Sequence, residues 1–101
     1  MPEGDTVRRL ADRIGARFAG ERCTRSIARD PRIAHLDLAG AQLVAADAVG
    51  KWLLLRFDDG RTVFGHLRMD GRWDLGHRST APEWQRRLEV EFESGWVTAI
   101  D

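Results

Sequence analysis

The chain has 101 residues, enough for one small domain with a modest core. Hydrophobic residues make up 43% and charged residues 32%, which excludes wholesale disorder, and no apolar run approaches membrane-spanning length. Basic and acidic residues balance at 16 each, so no global field favours nucleic acid, and the single cysteine, Cys23, excludes an internal disulfide and a multi-cysteine zinc site.

The chain opens MPEGDTV. Between Thr6 and Ala19, Val7, Leu10, Ala11, Ile14 and Phe18 recur at three- and four-residue steps, which predicts an amphipathic helix with arginines on its outer face. Asp5 or Thr6 is the expected N-cap, and Gly20 stands where a C-terminal cap belongs. The remainder reads as strand. CTRSIAR, IAHLDL and AQLVAADAV are short segments broken by Asp30-Pro31 and Gly40. KWLLLRF and TVFGHLRM form the clearest hairpin, with Asp59-Gly60 at its turn, and LEVEFES and WVTAI form a second around Gly95. GHRSTAPEWQRR, between the hairpins, is polar and loop-like with a helical portion. The pattern predicts a mainly β (α+β) fold: a two-sheet antiparallel sandwich of about eight strands edged by an N-terminal helix. Residues 1–101 read as a single domain, and the stop at Asp101 directly after a strand suggests a truncation. No signal peptide is legible, and a reducing, cytoplasmic location is expected.

Two constellations could carry chemistry. The first is the opening itself. Proline in second position allows removal of the initiator methionine, which exposes a secondary amine. An α-amino group titrates near 8, about two units below a lysine, and is partly unprotonated at neutral pH. A helix N-terminus nearby disfavours its ammonium form further. Such an amine can attack an electrophilic sugar carbon and form an iminium, the strategy of Schiff-base enzymes. Glu3 is the adjacent acid, able to protonate a departing ring oxygen or shuttle protons during elimination. Gly4 lets the chain bend so that both groups face one cleft.

The second constellation is GKWLLLRF with GHLRMDGRW. Lys51, the only lysine of the chain, begins a long hydrophobic strand after Gly50, which permits close backbone approach. Because the two segments form one hairpin, Lys51, His66 and Arg68 are expected near one surface, where they can contact phosphate. Met69 is a flexible apolar side chain in a strand-end loop, able to wedge into a base stack. Each also has an ordinary structural reading: Lys51 as a solvated charge, His66 as a satisfied polar residue, Met69 as core. His35 and His77 read as surface residues, and no residues stand at metal-ligand spacing.

Together, MPEGDTV, GKWLLLRF and GHLRMDGRW resemble the N-terminal domain of the formamidopyrimidine-DNA glycosylase / endonuclease VIII family, with PEGD leaning to the endonuclease VIII branch. The resemblance implies base-excision DNA repair: a bifunctional DNA glycosylase and AP lyase that flips a damaged base, oxidised pyrimidines being expected, excises it and nicks the strand. By motif position, Pro2 matches the nucleophile that attacks C1′, Glu3 the acid that opens the ribose, and Lys51 a lysine that contacts phosphate and assists catalysis. His66 matches a phosphate-contacting position and Met69 the residue that fills the gap left by the flipped nucleotide. The implied partner is damaged double-stranded DNA, with a monomeric, cytoplasmic, nucleoid-associated protein and no membrane. No cofactor is implied for this domain, zinc belonging to a C-terminal finger that, like the helix-two-turn-helix module, is absent from these residues. Two positions depart from the family pattern: Thr6 stands where many members carry a second glutamate, and Val49 where an arginine often precedes Gly-Lys. Without the C-terminal modules, feeble glycosylase activity is expected of these residues alone, and the alternative is a non-catalytic damaged-DNA binding or structural module.

Overall fold

The computed structural model describes residues 3–66 and 72–100, with side chains from Thr6 onward. The described residues form helix α1 (Glu3–Phe18) followed by seven strands: β1 (Cys23–Ala28), β2 (Leu43–Val49), β3 (Trp52–Phe57), β4 (Thr62–His66), β5 (Arg72–Gly76), β6 (Arg86–Phe92) and β7 (Gly95–Ile100). They build two antiparallel sheets, one of order β1-β6-β7-β5 and one of order β2-β3-β4. This is the two-sheet arrangement with an N-terminal helix that the alternation predicts.

The helix periodicity resolves into burial as amphipathicity requires. Val7, Ala11, Ile14 and Phe18 are buried, while Arg8, Arg9, Arg13 and Arg17 face solvent. The buried stripe shares one core cluster with Leu53, Leu55 and Phe57 of β3 and with Cys23, Val90 and Phe92 of the other sheet. Phe18 and Phe92 stack at 5.0 Å between ring centroids, and Phe92 stacks on Phe57 at 6.4 Å, so the helix end and both sheets share one aromatic column. Burying a side chain of this size contributes about 1.5–3 kcal/mol, which makes the column a principal source of stability. The helix starts earlier than its caps predict. Asp5 and Thr6 lie inside its first turn, where acidic residues are favoured by the helix dipole. At its other end the Gly20 N–H donates to Leu43 O at 2.7 Å, and the Gln42 amide donates to Gly20 O at 2.8 Å, tying the helix to the start of β2.

Two segments differ from the sequence reading. IAHLDL is not a strand. Asp30 caps a 3-10 turn over Pro31–Ile33, its Oδ1 accepting from the Arg32 N–H at 3.0 Å, and the proline supplies a helical φ. The segment that follows crosses between the sheets, anchored by buried Leu38, whose N–H donates to Ser26 Oγ at 2.8 Å. Conversely RWDLG, which lacks clean alternation, is strand β5, held in the sheet by pairing with β7 from Arg72–Ile100 to Gly76–Trp96. The polar stretch between the hairpins carries a 3-10 turn at Glu83–Gln85 and becomes β6 at Arg86.

Candidate active site at one end of the three-stranded sheet

The site is set by the direction in which α1 lies. Its C-terminal end is bonded to Leu43 at the start of β2, and Arg8 Nη2 donates to Ala48 O at 3.4 Å near the end of β2. The helix therefore runs antiparallel to β2, and Glu3, about one and a half turns before Arg8, opens the helix at the end where β2 turns into β3.

That turn holds Lys51. Val49 pairs with Trp52, so Gly50 and Lys51 form a two-residue hairpin loop. Gly50 has φ 59° and the described non-glycine residues have none positive, which is the pattern of a type II′ turn with glycine in its first central position. A Cβ on Gly50 would meet nothing within 4 Å, so its glycine is required by backbone conformation and not by close approach. Lys51 thus sits in the turn, one residue before the strand, exposed at the sheet end.

β4 brings the next residue. Trp52 pairs with His66, which places the His66 imidazole at the same sheet end as Lys51. The two rings meet edge to face, 4.9 Å between centroids at 64°. Strand alternation then puts Trp52 and Leu54 of β3 with Phe64 and His66 of β4 on the outer face of this sheet, beside Val49 of β2. Trp52, Val49 and Phe64 remain substantially exposed, at 46%, 59% and 62%. Beside His66, β4 of one sheet and β5 and β7 of the other border a cleft of about 600 Å³, whose lining includes Trp52, His66, Trp73 and Ile100 with Arg32, Arg61, Arg72 and Arg87.

The structure therefore places the start of α1, the Lys51 turn and His66 at the same end of the three-stranded sheet, the helix on its core face and His66 on its outer face. Pro2, the Glu3 side chain, Arg68 and Met69 lie outside the described residues and side chains. Trp52 and Trp73 are the residues at this end that the sequence reading passed over. Trp52 had one legible signal: a large indole at the outward register of a strand whose Leu53 and Leu55 face the core. Among the described residues there is no group of three or more His, Cys, Asp or Glu that could hold a metal ion, and no described helix is long and apolar enough to cross a membrane.

A two-sheet antiparallel sandwich edged by an N-terminal helix is the fold of a known class of domain. The family model for the formamidopyrimidine-DNA glycosylase N-terminal domain matches residues 1–101, and the chain belongs to that family. It is 49% identical over 75 residues to "Probable endonuclease 8 2" of Streptomyces coelicolor, covering 74% of this chain and 27% of that protein. It is 37% identical over 100 residues to "DNA-(apurinic or apyrimidinic site) lyase Nei2" of Mycolicibacterium smegmatis, covering 99% of this chain and 38% of that protein. Among solved structures, the Lactococcus lactis enzyme FPG (MutM) in complex with FAPY-dG DNA superposes with a TM-score of 0.76 at 26% identity, covering 99% of this chain and 39% of that one. The same enzyme with abasic-site DNA also superposes at 0.76. The chain thus spans between 27% and 39% of the length of these relatives.

Proposed function

We propose that this chain carries the catalytic residues of a base-excision repair enzyme, a bifunctional DNA glycosylase and AP lyase acting on damaged double-stranded DNA, with oxidised pyrimidines as its lesions. The observation that carries the reading is the placement of the helix start, the Lys51 turn and His66 at one sheet end, in a chain whose relatives are named for endonuclease 8 and AP lyase activity. The protein acts as a monomer in the cytoplasm.

In this reading Met1 is removed and the Pro2 nitrogen is the nucleophile. Its lone pair forms a bond to C1′ while the bond from C1′ to the damaged base breaks, and the base leaves with the electron pair. The nitrogen sheds its proton, Glu3 delivers one to O4′, and the sugar ring opens to a cationic iminium. This iminium has no N–H to lose and acts as a persistent electron sink. Loss of a C2′ proton expels the 3′ phosphate, and a second elimination expels the 5′ phosphate. A one-nucleotide gap with phosphate ends remains, and hydrolysis of the iminium returns the amine. Lys51 and His66 hold the phosphates that flank the lesion, and Met69 fills the space left by the flipped nucleotide, offsetting part of the few kcal/mol that flipping costs.

The test is borohydride trapping. Protein whose intact mass shows loss of Met1 should form a covalent adduct with an abasic-site duplex, and Pro2→Gly should abolish it. Absence of an adduct from folded, methionine-free protein would defeat the reading and leave a non-catalytic module.

A further inference from the structure

Trp52 is an unusual choice for its position. The core-facing register of β3 is filled by Leu53 and Leu55, which are buried, while the indole stands on the outer face and is nearly half exposed. Val49 lies opposite it on β2, Leu54 shares its face, and Phe64 stands across from Leu54 on β4; the four side chains line one apolar hollow. The next ring on this face is the His66 imidazole, in edge-to-face contact. An exposed histidine at the end of an edge strand would otherwise sample several rotamers, each aiming its N–H differently. The indole across the strand pair favours the one ring plane that meets it edge to face.

We propose that Trp52 is a positioning residue, which holds the His66 imidazole in the orientation from which it donates to a DNA phosphate. The inference rests on the function proposed above. It assigns Trp52 a role through His66 alone: the indole sets the plane of the imidazole it touches, and the imidazole meets DNA already ordered.

Two measurements on the 101-residue protein test this. In the NMR spectrum, ring current from Trp52 should displace the His66 ring-proton resonances; Trp52→Leu should abolish the displacement and Trp52→Phe should retain part of it. Binding to a duplex carrying a tetrahydrofuran abasic-site analogue gives the second readout. His66→Gln should weaken binding about three- to tenfold, the scale of one hydrogen bond to a charged group. Trp52→Leu should weaken it comparably, the double variant should bind no worse than the weaker single, and Trp52→Phe should restore most of the loss. Thermal melts confirm that each variant is folded. Wild-type binding by Trp52→Leu, losses that multiply in the double variant, or unmoved His66 resonances would each overturn the inference while leaving the enzyme reading standing. Wild-type binding by His66→Gln would remove the phosphate role of His66 itself, and the inference with it.

Discussion

The Trp73 ring occupies the space that a side chain on Gly65 would need: a Cβ built on Gly65 would stand 2.4 Å from Cζ2 of Trp73. Gly65 lies on β4 of one sheet and Trp73 on β5 of the other, so this contact joins the two sheets beside His66. A flexible side chain could yield, but an indole packed against the core can move only as a plate. Gly65→Ala should therefore cost about 1–3 kcal/mol through overpacking. For a domain of this size that lowers the melting temperature by roughly 4–8 °C per kcal/mol. An unchanged melting temperature would show that Trp73 does not brace the two sheets.

Glu89, in the middle of β6, is a fully buried carboxylate. Arg29 Nη1 stands 2.6 Å, Arg78 Nε 3.1 Å and Arg86 Nε 3.3 Å from its oxygens. Burial opposes its charge, but hydrogen bonds from Arg29 and Arg78 outweigh that and hold its pKa below the ordinary 4.5. A depressed folded pKa means stability that is full above the unfolded value and lost as pH falls through the folded one. Asp30 and Asp59, each hydrogen-bonded to an arginine, titrate in the same direction. Glu89→Gln should cost roughly 3 kcal/mol at neutral pH, the low end for breaking a buried pair because Arg78 keeps contact with water. It should also flatten the loss of stability below about pH 4.5. Melts across that range check both; a pH dependence identical to wild type would assign the acid sensitivity to other groups.

If Lys51 contacts phosphate, Lys51→Gln should weaken binding to every duplex by a similar factor, damaged or not. It should also make the slope of log affinity against log salt shallower by about 0.9. Arg56, already paired with Asp47 at 2.6 Å on the outer face, is the control, and Arg56→Gln should leave that slope unchanged. Equal slopes for Lys51→Gln and wild type would take Lys51 out of the phosphate contacts.

Cys23 is buried, and loss of solvent pushes its thiol up to about 11. The thiolate is the reactive form, so the folded protein should resist iodoacetamide near neutral pH. Full alkylation should follow on denaturation. Rapid labelling of the native protein would mean that β1 opens readily at its start.

Local pattern determined much of this molecule. The 3.6-residue stripe from Val7 to Phe18 can be satisfied only by a helix with one buried face, and Asp59-Gly60 between alternating runs can hardly be anything but a hairpin turn. The same logic failed where local chemistry and pattern disagreed. IAHLDL alternates, yet the Asp30 cap and Pro31 turned it into a 3-10 crossover; RWDLG does not alternate, yet a vacant place beside β7 made it a strand. Lys51 and His66 were legible as candidates because of their residue types and neighbours. That Lys51 sits in a turn, that His66 faces Trp52, and that the helix begins at the same sheet end were not. Those relations depend on strand register and on the direction in which α1 crosses β2, which contacts between residues far apart in the chain decide.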